Sequence, residues 1–243
     1  MREGSESVHG DQGAYIDNVS CIATAAHELK SPLALMRQLA LSLESGVCSL
    51  EESRQIARQI TLTSERALRL TTDLTKSVRL EDGLFTVEPL NPLIVCDEAV
   101  EELMPLYRER GRALSVSARR RPVLALANRD LLRRILTGFL DNALHYSDDT
   151  AGIKVTVRKY GTRVRLNVRD HGPALPANVW RRIEQSMNMG VQSLHARPAS
   201  SGLGVYIARQ FADAMQAEIG ATRHRDGASF YVDIAVSSQM RLL

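Results

Sequence analysis

Four groups of residues in this sequence have types and spacings that can do chemistry. The first is Ala26-His27-Glu28-Leu29-Lys30-Ser31-Pro32-Leu33, a histidine with an acid beside it and a proline five residues on, inside a run that otherwise reads as helix. An imidazole gains or loses its proton near neutral pH and can act as acid, base or nucleophile, but a lone helical histidine is more often a surface or satisfied core residue. The second is Asn142, His145 and Tyr146, which at i, i+3 and i+4 share one helix face, with Asp141 beside them; the same pattern is also the polar edge of an amphipathic helix. The third is Asp170-His171-Gly172-Pro173, an acid at a strand end. A carboxylate there can accept a hydrogen bond from an exocyclic amine such as that of adenine, and the glycine lets backbone approach a ring; an ordinary Asp-x-Gly turn has the same letters. The fourth is Ser200-Ser201-Gly202-Leu203-Gly204-Val205, glycine-rich backbone feeding a helix. Free N–H groups and the helix dipole favour an anion such as a phosphate, and a flexible helix start is the plain alternative. The spacing is neither that of a P-loop nor that of a dinucleotide fingerprint.

These groups need elements to hold them. Val19, Ile22, Ala26, Leu29, Leu33, Met36, Ala40 and Leu43 step by three and four, which predicts a helix from about Ala14 to Ser45, stopped by Gly46. Ser49-Leu50-Glu51-Glu52 has capping-box spacing, and Ile56, Ile60, Thr63, Ala67, Leu70 and Leu74 continue the heptad in a second helix to about Leu80. The short turn makes the two an antiparallel hairpin, which cannot cover both apolar stripes alone, so a homodimeric four-helix bundle is expected. The periodicity then changes. Phe85 to Glu88 reads as a strand, and Asn91-Pro92 starts a helix to about Arg110. Leu114–Ser117 and Val123–Ala127 are strand candidates, and Asn128 or Asp130 opens a helix from Leu131 to Tyr146. Ile153–Val157 and Val164–Val168 alternate around Tyr160-Gly161-Thr162 as a hairpin. A long polar stretch, 171–201, then holds at most one helical turn near Trp180–Gln185. Gly202–Gln216 is helical, and Glu218–Arg225 and Ser229–Val236 close the chain as strands. This half reads as an α+β sandwich with helices on one face of a mixed sheet.

Composition narrows the classes. The net charge of +3 is spread along the chain and aromatics are only 5%, which argues against a nucleic-acid surface. Cys21, Cys48 and Cys96 are odd in number and far apart, as expected of buried or idle thiols in a reducing compartment rather than a disulfide frame or zinc site. No apolar run approaches the ~20 residues of a membrane span. The polar start, 1–13, reads as a disordered tail or a cloning boundary, and the chain as a cytoplasmic piece with room for a larger parent protein.

The order of the four groups, from about Ile16 onward, resembles the sensor histidine kinases of bacterial two-component systems. His27-Glu28-Leu29-Lys30-Ser31-Pro32 is similar to the family's H box and Asp141-Asn142-Ala143-Leu144-His145-Tyr146-Ser147 to its N box. Asp170-His171-Gly172-Pro173 is similar to G1, Ser201-Gly202-Leu203-Gly204 to G2, and Gly227-Ala228-Ser229-Phe230 to the last glycine box. The resemblance implies a dimerisation and histidine-phosphotransfer hairpin over 14–82 and, over 83–243, an α/β sandwich ATP-binding domain of the gyrase and histidine-kinase type, with a lid at about 171–201. It implies that His27 attacks the γ-phosphate of ATP with Glu28 as base, and that Asn142 holds Mg²⁺. Asp170 and Gly172 would meet the adenine, and His145, Tyr146, Ser201, Gly202, Leu203, Gly204 and Ser229 would belong to the ATP site. Ser31 stands at the position tied to phosphatase activity. The partner implied is a response-regulator receiver domain, whose aspartate takes the phosphoryl group. The chain departs from the family at Gly138, where a second Asn is usual, at Ala174 for a glycine, at His145 for a lysine, at Ser31 for Thr or Asn, and in lacking a phenylalanine-rich lid motif. A non-catalytic scaffold or phosphotransfer module with a decayed nucleotide site is the alternative. A plain helical-bundle interaction protein leaves the second half unexplained.

Overall fold

The computed structural model describes residues 26, 29–79, 85–118, 123–147, 152–173, 177, 180, 181, 183 and 203–238. They fall into two compact units, one helical and one α+β.

In the helical unit, α1 (residues 29–44) and α2 (Leu50–Arg79) are joined by residues 45–49. Gly46 ends α1 with φ +68°, its N–H donating to Leu43 O at 3.2 Å. The capping box is complete: Ser49 N–H donates to Glu52 Oε2 at 2.7 Å and Glu52 N–H to Ser49 Oγ at 3.3 Å. The Ser49 side chain, and after it the Ser49 backbone N–H, holds the Glu52 carboxyl below its ordinary range. The covered stripe of α2 is the expected one, with Ile56, Ile60, Thr63, Leu70 and Leu74 half-buried and Ala67 buried. In α1 it is turned. Leu29, Pro32, Met36, Leu39 and Leu43 are half-buried, whereas the expected Leu33 is 57% exposed and Ala40 is exposed too. The apolar band of α1 is wider than one seam, because Leu33, Leu35, Ala40 and Leu41 flank the inner series, and only one side of it is covered within the chain. The expected helix start falls outside the described residues.

The α+β unit is built on a five-stranded sheet in the order β2-β4-β5-β7-β6. Its strands are β2 (Leu114–Ala118), β4 (Ile153–Tyr160), β5 (Arg163–Arg169), β6 (Glu218–His224) and β7 (Gly227–Ala235). β2 and β4 pair in parallel and every other pair is antiparallel, so the sheet is mixed, as expected. A separate antiparallel pair joins β1 (Glu88–Leu90) to β3 (Ala125–Ala127). The strand expected at Phe85–Glu88 therefore starts three residues later. The physical reason is the cap of the helix that follows β3: Asn128 Nδ2 donates to Thr86 O at 3.0 Å, so a capping residue takes up backbone that a ladder would have used.

Helices α3 (Pro92–Glu109), α4 (Arg129–Tyr146) and α5 (Leu203–Ala214) complete the unit. Asn91 and Asn128 cap α3 and α4, Asn128 Oδ1 accepting from Asp130 N and Leu131 N at 3.1 Å each, which decides between the two starts considered for α4. Leu131, Leu132, Ile135, Leu136, Phe139 and Leu140 of α4 are fully buried, over a sheet face where β5 presents Val164, Leu166 and Val168. Each such side chain contributes about 1.5–3 kcal/mol against roughly 1 for a cap, so packing fixes α4 and the cap sets where it begins. Phe139 meets Phe230 of β7 at 5.7 Å between ring centroids. Buried in α3, the Cys96 thiol is pushed up to about 12 by loss of water, with Asp97 adding to it, so it stays protonated.

Gly138 is half-buried in the middle of α4, and a β-carbon there meets nothing within 4 Å. Gly138→Ala should therefore raise unfolding stability by about 0.5–1 kcal/mol, read as a higher urea midpoint at unchanged slope.

Candidate active site

The carboxylate of Asp170 is 6% exposed, at the first position beyond β5. A buried charge requires donors, and two backbone amides supply them. Oδ1 accepts from Ala228 N at 2.9 Å and from Gly172 N at 3.3 Å, while Asp170 N–H donates to Ala228 O at 3.0 Å. One oxygen is thus fixed by the protein, and among the described residues no donor meets Oδ2. Gly227 makes this closeness possible. Its φ is +115°, and a β-carbon there would lie 2.5 Å from both Asp170 O and Oδ1 and 2.7 Å from Gly172 N.

The side chains flanking Asp170 turn to the β6–β7 connection. Arg169 donates to Asp170 O, to Ala228 O at 3.2 Å, and to Asp226 O and Oδ1 at 3.3 and 2.6 Å; His171 Nδ1 lies 3.1 Å from Asp226 Oδ2. The Asp226 carboxyl is held below its ordinary range, first by His171 and then by Arg169. Ser229, paired across from Arg169, is buried, and its hydroxyl lies 2.9 Å from His224 Nε2. Burial, then the Arg169 cation, lowers the His224 pKa.

On α4, Asn142 is half-buried and makes no hydrogen bond among the described residues. The end of this helix is pinned from the α3–β2 turn. Arg112 donates to Leu144 O at 2.6 Å and to Ser147 O at 2.8 Å, and Arg110 to Leu144 O at 3.3 Å, so two cations meet the negative end of the helix. Tyr107 of α3 donates to Leu140 O at 2.7 Å. Burial raises its phenol above the ordinary range, with Asp141 and then Asp170 adding to the effect, so the polar edge of α4 and the end of β5 both lie within electrostatic reach of one hydroxyl.

Residues 127–238 match the histidine kinase-, DNA gyrase B- and HSP90-like ATPase family. This region is therefore similar to the ATPases of that family. The chain is 28% identical over 229 residues to the sensor protein KdpD of Mycobacterium tuberculosis, covering 89% of the chain and 26% of KdpD. It is also 28% identical over 210 residues to the histidine protein kinase SaeS of Staphylococcus epidermidis, covering 84% of the chain and 59% of SaeS. It thus spans from about a quarter to three-fifths of these relatives. The fold is shared with histidine kinase ThkA, solved in complex with response regulator protein TrrA, at 18% identity and TM-score 0.61 over 89% of this chain and 61% of that one. It is also shared with full-length ShkA, solved with AMPPNP, at 22% identity and TM-score 0.59 over 89% and 46%.

Within residues 127–238, Asp170, Gly172 and Ser229 come together around the start of β7, and Asn142 stands on the neighbouring α4. His145 and Tyr146 lie in the last turn of α4, their side chains outside the described residues. Leu203 opens α5, with its side chain likewise outside them, and Gly204 is exposed in its first turn; Ser201 and Gly202 fall outside the described residues, as do His27 and Glu28 of the helical unit. Ser31 is exposed on α1. Sequence reasoning gave no role to Arg169, Asp226, Arg110 or Arg112. A signal for Asp226 was present, since Asp226-Gly227 between two alternating runs is a hairpin turn pair. No helix among the described residues is long and apolar enough to cross a membrane.

Two outcomes follow from this geometry. Gly227→Ala should destabilise the domain by about 2–3 kcal/mol in urea unfolding, because the new methyl must displace Asp170 or leave its left-handed backbone strained. For His224 the folded-state pKa lies below the unfolded value of 6.5. Its stabilisation is therefore complete above pH 6.5 and is lost as pH falls through the lower folded value, so the melting midpoint should drop on acidification, and less so in His224→Gln.

Proposed function

We propose that this chain is an ATP-dependent protein histidine autokinase. Its proposed acceptor is His27, from which the phosphoryl group passes to an aspartate of a response-regulator receiver domain. The observation that carries the reading is the Asp170 carboxylate, with Oδ1 locked by two amides and no described donor on Oδ2, the arrangement needed to accept one hydrogen bond from the 6-amino group of adenine. Residues 14–82 would be the dimerisation and phosphotransfer hairpin and 83–243 the ATP-binding domain. Leu33 at 57% exposure, Leu41 at 54% and Leu68 at 64% leave apolar surface on the hairpin that a second copy would cover in a four-helix bundle. The names of SaeS and KdpD, the AMPPNP bound to ShkA and the response regulator bound to ThkA support the same reading.

In the first step an imidazole nitrogen of His27 would attack the γ-phosphorus. The new N–P bond forms as the bond to the β–γ bridging oxygen breaks, and ADP leaves with that electron pair. Glu28 would take up the proton from the other ring nitrogen, keeping the attacking one nucleophilic. In the second step a carboxylate oxygen of the receiver aspartate attacks phosphorus and the P–N bond breaks. The fixed Asp170 orients the base, and positioning of this kind supplies most of what phosphoryl transfer asks of a protein. The half-buried amide of Asn142, with no hydrogen-bond partner among the described residues, suits the oxygen-ligand preference of Mg²⁺ and would hold it. Bound there, the ion would neutralise charge on the phosphates.

Gly138, where the family carries a second Asn, favours the pseudo-kinase as the competing reading. Incubation with Mg²⁺ and γ-labelled ATP separates the two. The unaltered chain should take up an acid-labile, base-stable label, and His27→Ala should reduce it to background. Nucleotide binding without label would support the pseudo-kinase, and no nucleotide binding would defeat the kinase reading.

A further inference from the structure

We infer that Asp226 is a positioning residue for base recognition: from the β6–β7 turn its two carboxylate oxygens grip the side chains on either side of Asp170 and thereby aim the carboxylate between them. The inference deepens the nucleotide reading above and rests on it.

In extended backbone, side chains alternate in direction. Arg169 and His171 both turn to Asp226 while Asp170 turns Oδ1 to the amides of Ala228 and Gly172, so a hold on both neighbours restrains the backbone at Asp170 without touching a ligand. Asp226 provides that hold. Oδ1 takes Arg169 at 2.6 Å and Oδ2 takes His171 at 3.1 Å. The guanidinium reaches further, to the carbonyl oxygens of Asp226, Ala228 and Asp170. One planar fork thus ties the turn, the first residues of β7 and the end of β5 into one unit, a task a lysine's single ammonium could not do. Ala228, one of the residues gripped, is also the residue whose N–H fixes Asp170 Oδ1.

Exposure argues that this cluster serves geometry more than stability. The Asp226 side chain is 66% exposed while that of Arg169 is 17% exposed, and ion pairs with so open a partner add little to folding free energy. One carboxylate holding both residues beside a buried carboxylate is better explained by a demand on its direction. Anionic Asp226, held below its ordinary range by His171 and Arg169, keeps the grip closed at neutral pH.

The test compares ATP with ITP, in which the purine 6-amine is replaced by oxygen, by calorimetric titration of the full chain. The unaltered chain should prefer ATP. Asp226→Ala should weaken ATP about tenfold and ITP by less than about twofold, so the preference shrinks, while the melting curve stays in place. His171→Ala, which releases half the grip, should give an intermediate preference, and Asp226→Glu should restore part of it. A loss of fold would weaken both nucleotides alike. An unchanged ATP-to-ITP ratio in both folded alanine variants overturns the inference. Failure of the unaltered chain to bind either nucleotide overturns the nucleotide reading and this inference with it. Binding without preference overturns the role given to Asp170.

Discussion

The site depends on a close approach of two backbones. Asp170 leaves β5 where β7 begins, and its Oδ1 is within hydrogen-bond range of two amides because residue 227 has no side chain. Everything upstream serves that approach. The β5–β7 register sets Arg169 opposite Ser229 and Val168 opposite Phe230. A slip of one residue would turn Asp170 toward the open face of the sheet and expose the apolar residues that hold α4. Phe230, in turn, packs on Phe139, so the helix that carries Asn142 and the strand that fixes Asp170 share one contact. Packing and placement of the carboxylate are the same problem here, because it can be buried with its hydrogen bonds made only where the core puts it.

The sheet's other face is organised by polar contacts. Arg165 forms a two-pronged pair with Asp233 at 2.7 and 2.6 Å and lies 3.6 Å from the centroid of the Tyr231 ring. That ring lies across Gly220 of β6, where any β-carbon would collide with it. Loss of water at Arg165 is outweighed by its bond to Asp233, which keeps the guanidinium pKa raised. With Arg165 35% exposed the pair contributes little as Coulomb energy, and its greater effect is to fix the register of β5, β7 and β6 through complementary shapes. The strand that carries Gly227 is thereby located from both faces.

Legibility in the sequence followed the range of each interaction. The capping box at Ser49, the Asn91-Pro92 start and the hairpin around Gly161 rest on residues within a few positions of one another, and the structure has all three. The strand at Phe85 was misplaced because its backbone is claimed by Asn128, 42 residues on. Leu33 was misassigned because a wide apolar band does not say which of its sides a single chain covers. In the site, Asp170 and Gly172 could be picked out as a pair at i and i+2, but the tie from Arg169 to Asp226 spans 57 residues and the Arg112 cap on α4 spans 32. Nothing local marks either arginine as different from its many solvated counterparts.

This difference in range matches a division of labour. Residues proposed to touch nucleotide, such as Asp170, Asn142 and Gly204, are constrained by what the ligand presents. The residues that aim them are constrained by this chain's own geometry. A carboxylate with one oxygen locked has lost most of its freedom before a ligand arrives, so less ordering cost is left for binding. That lock consists of backbone amides, which no side-chain substitution removes directly; it fails only when the strands that carry them move apart. The arginine forks at 112 and 169 oppose such movement, one at the end of α4 and the other at the end of β5. In both cases the guanidinium binds main-chain carbonyls, so each acts on the backbone directly.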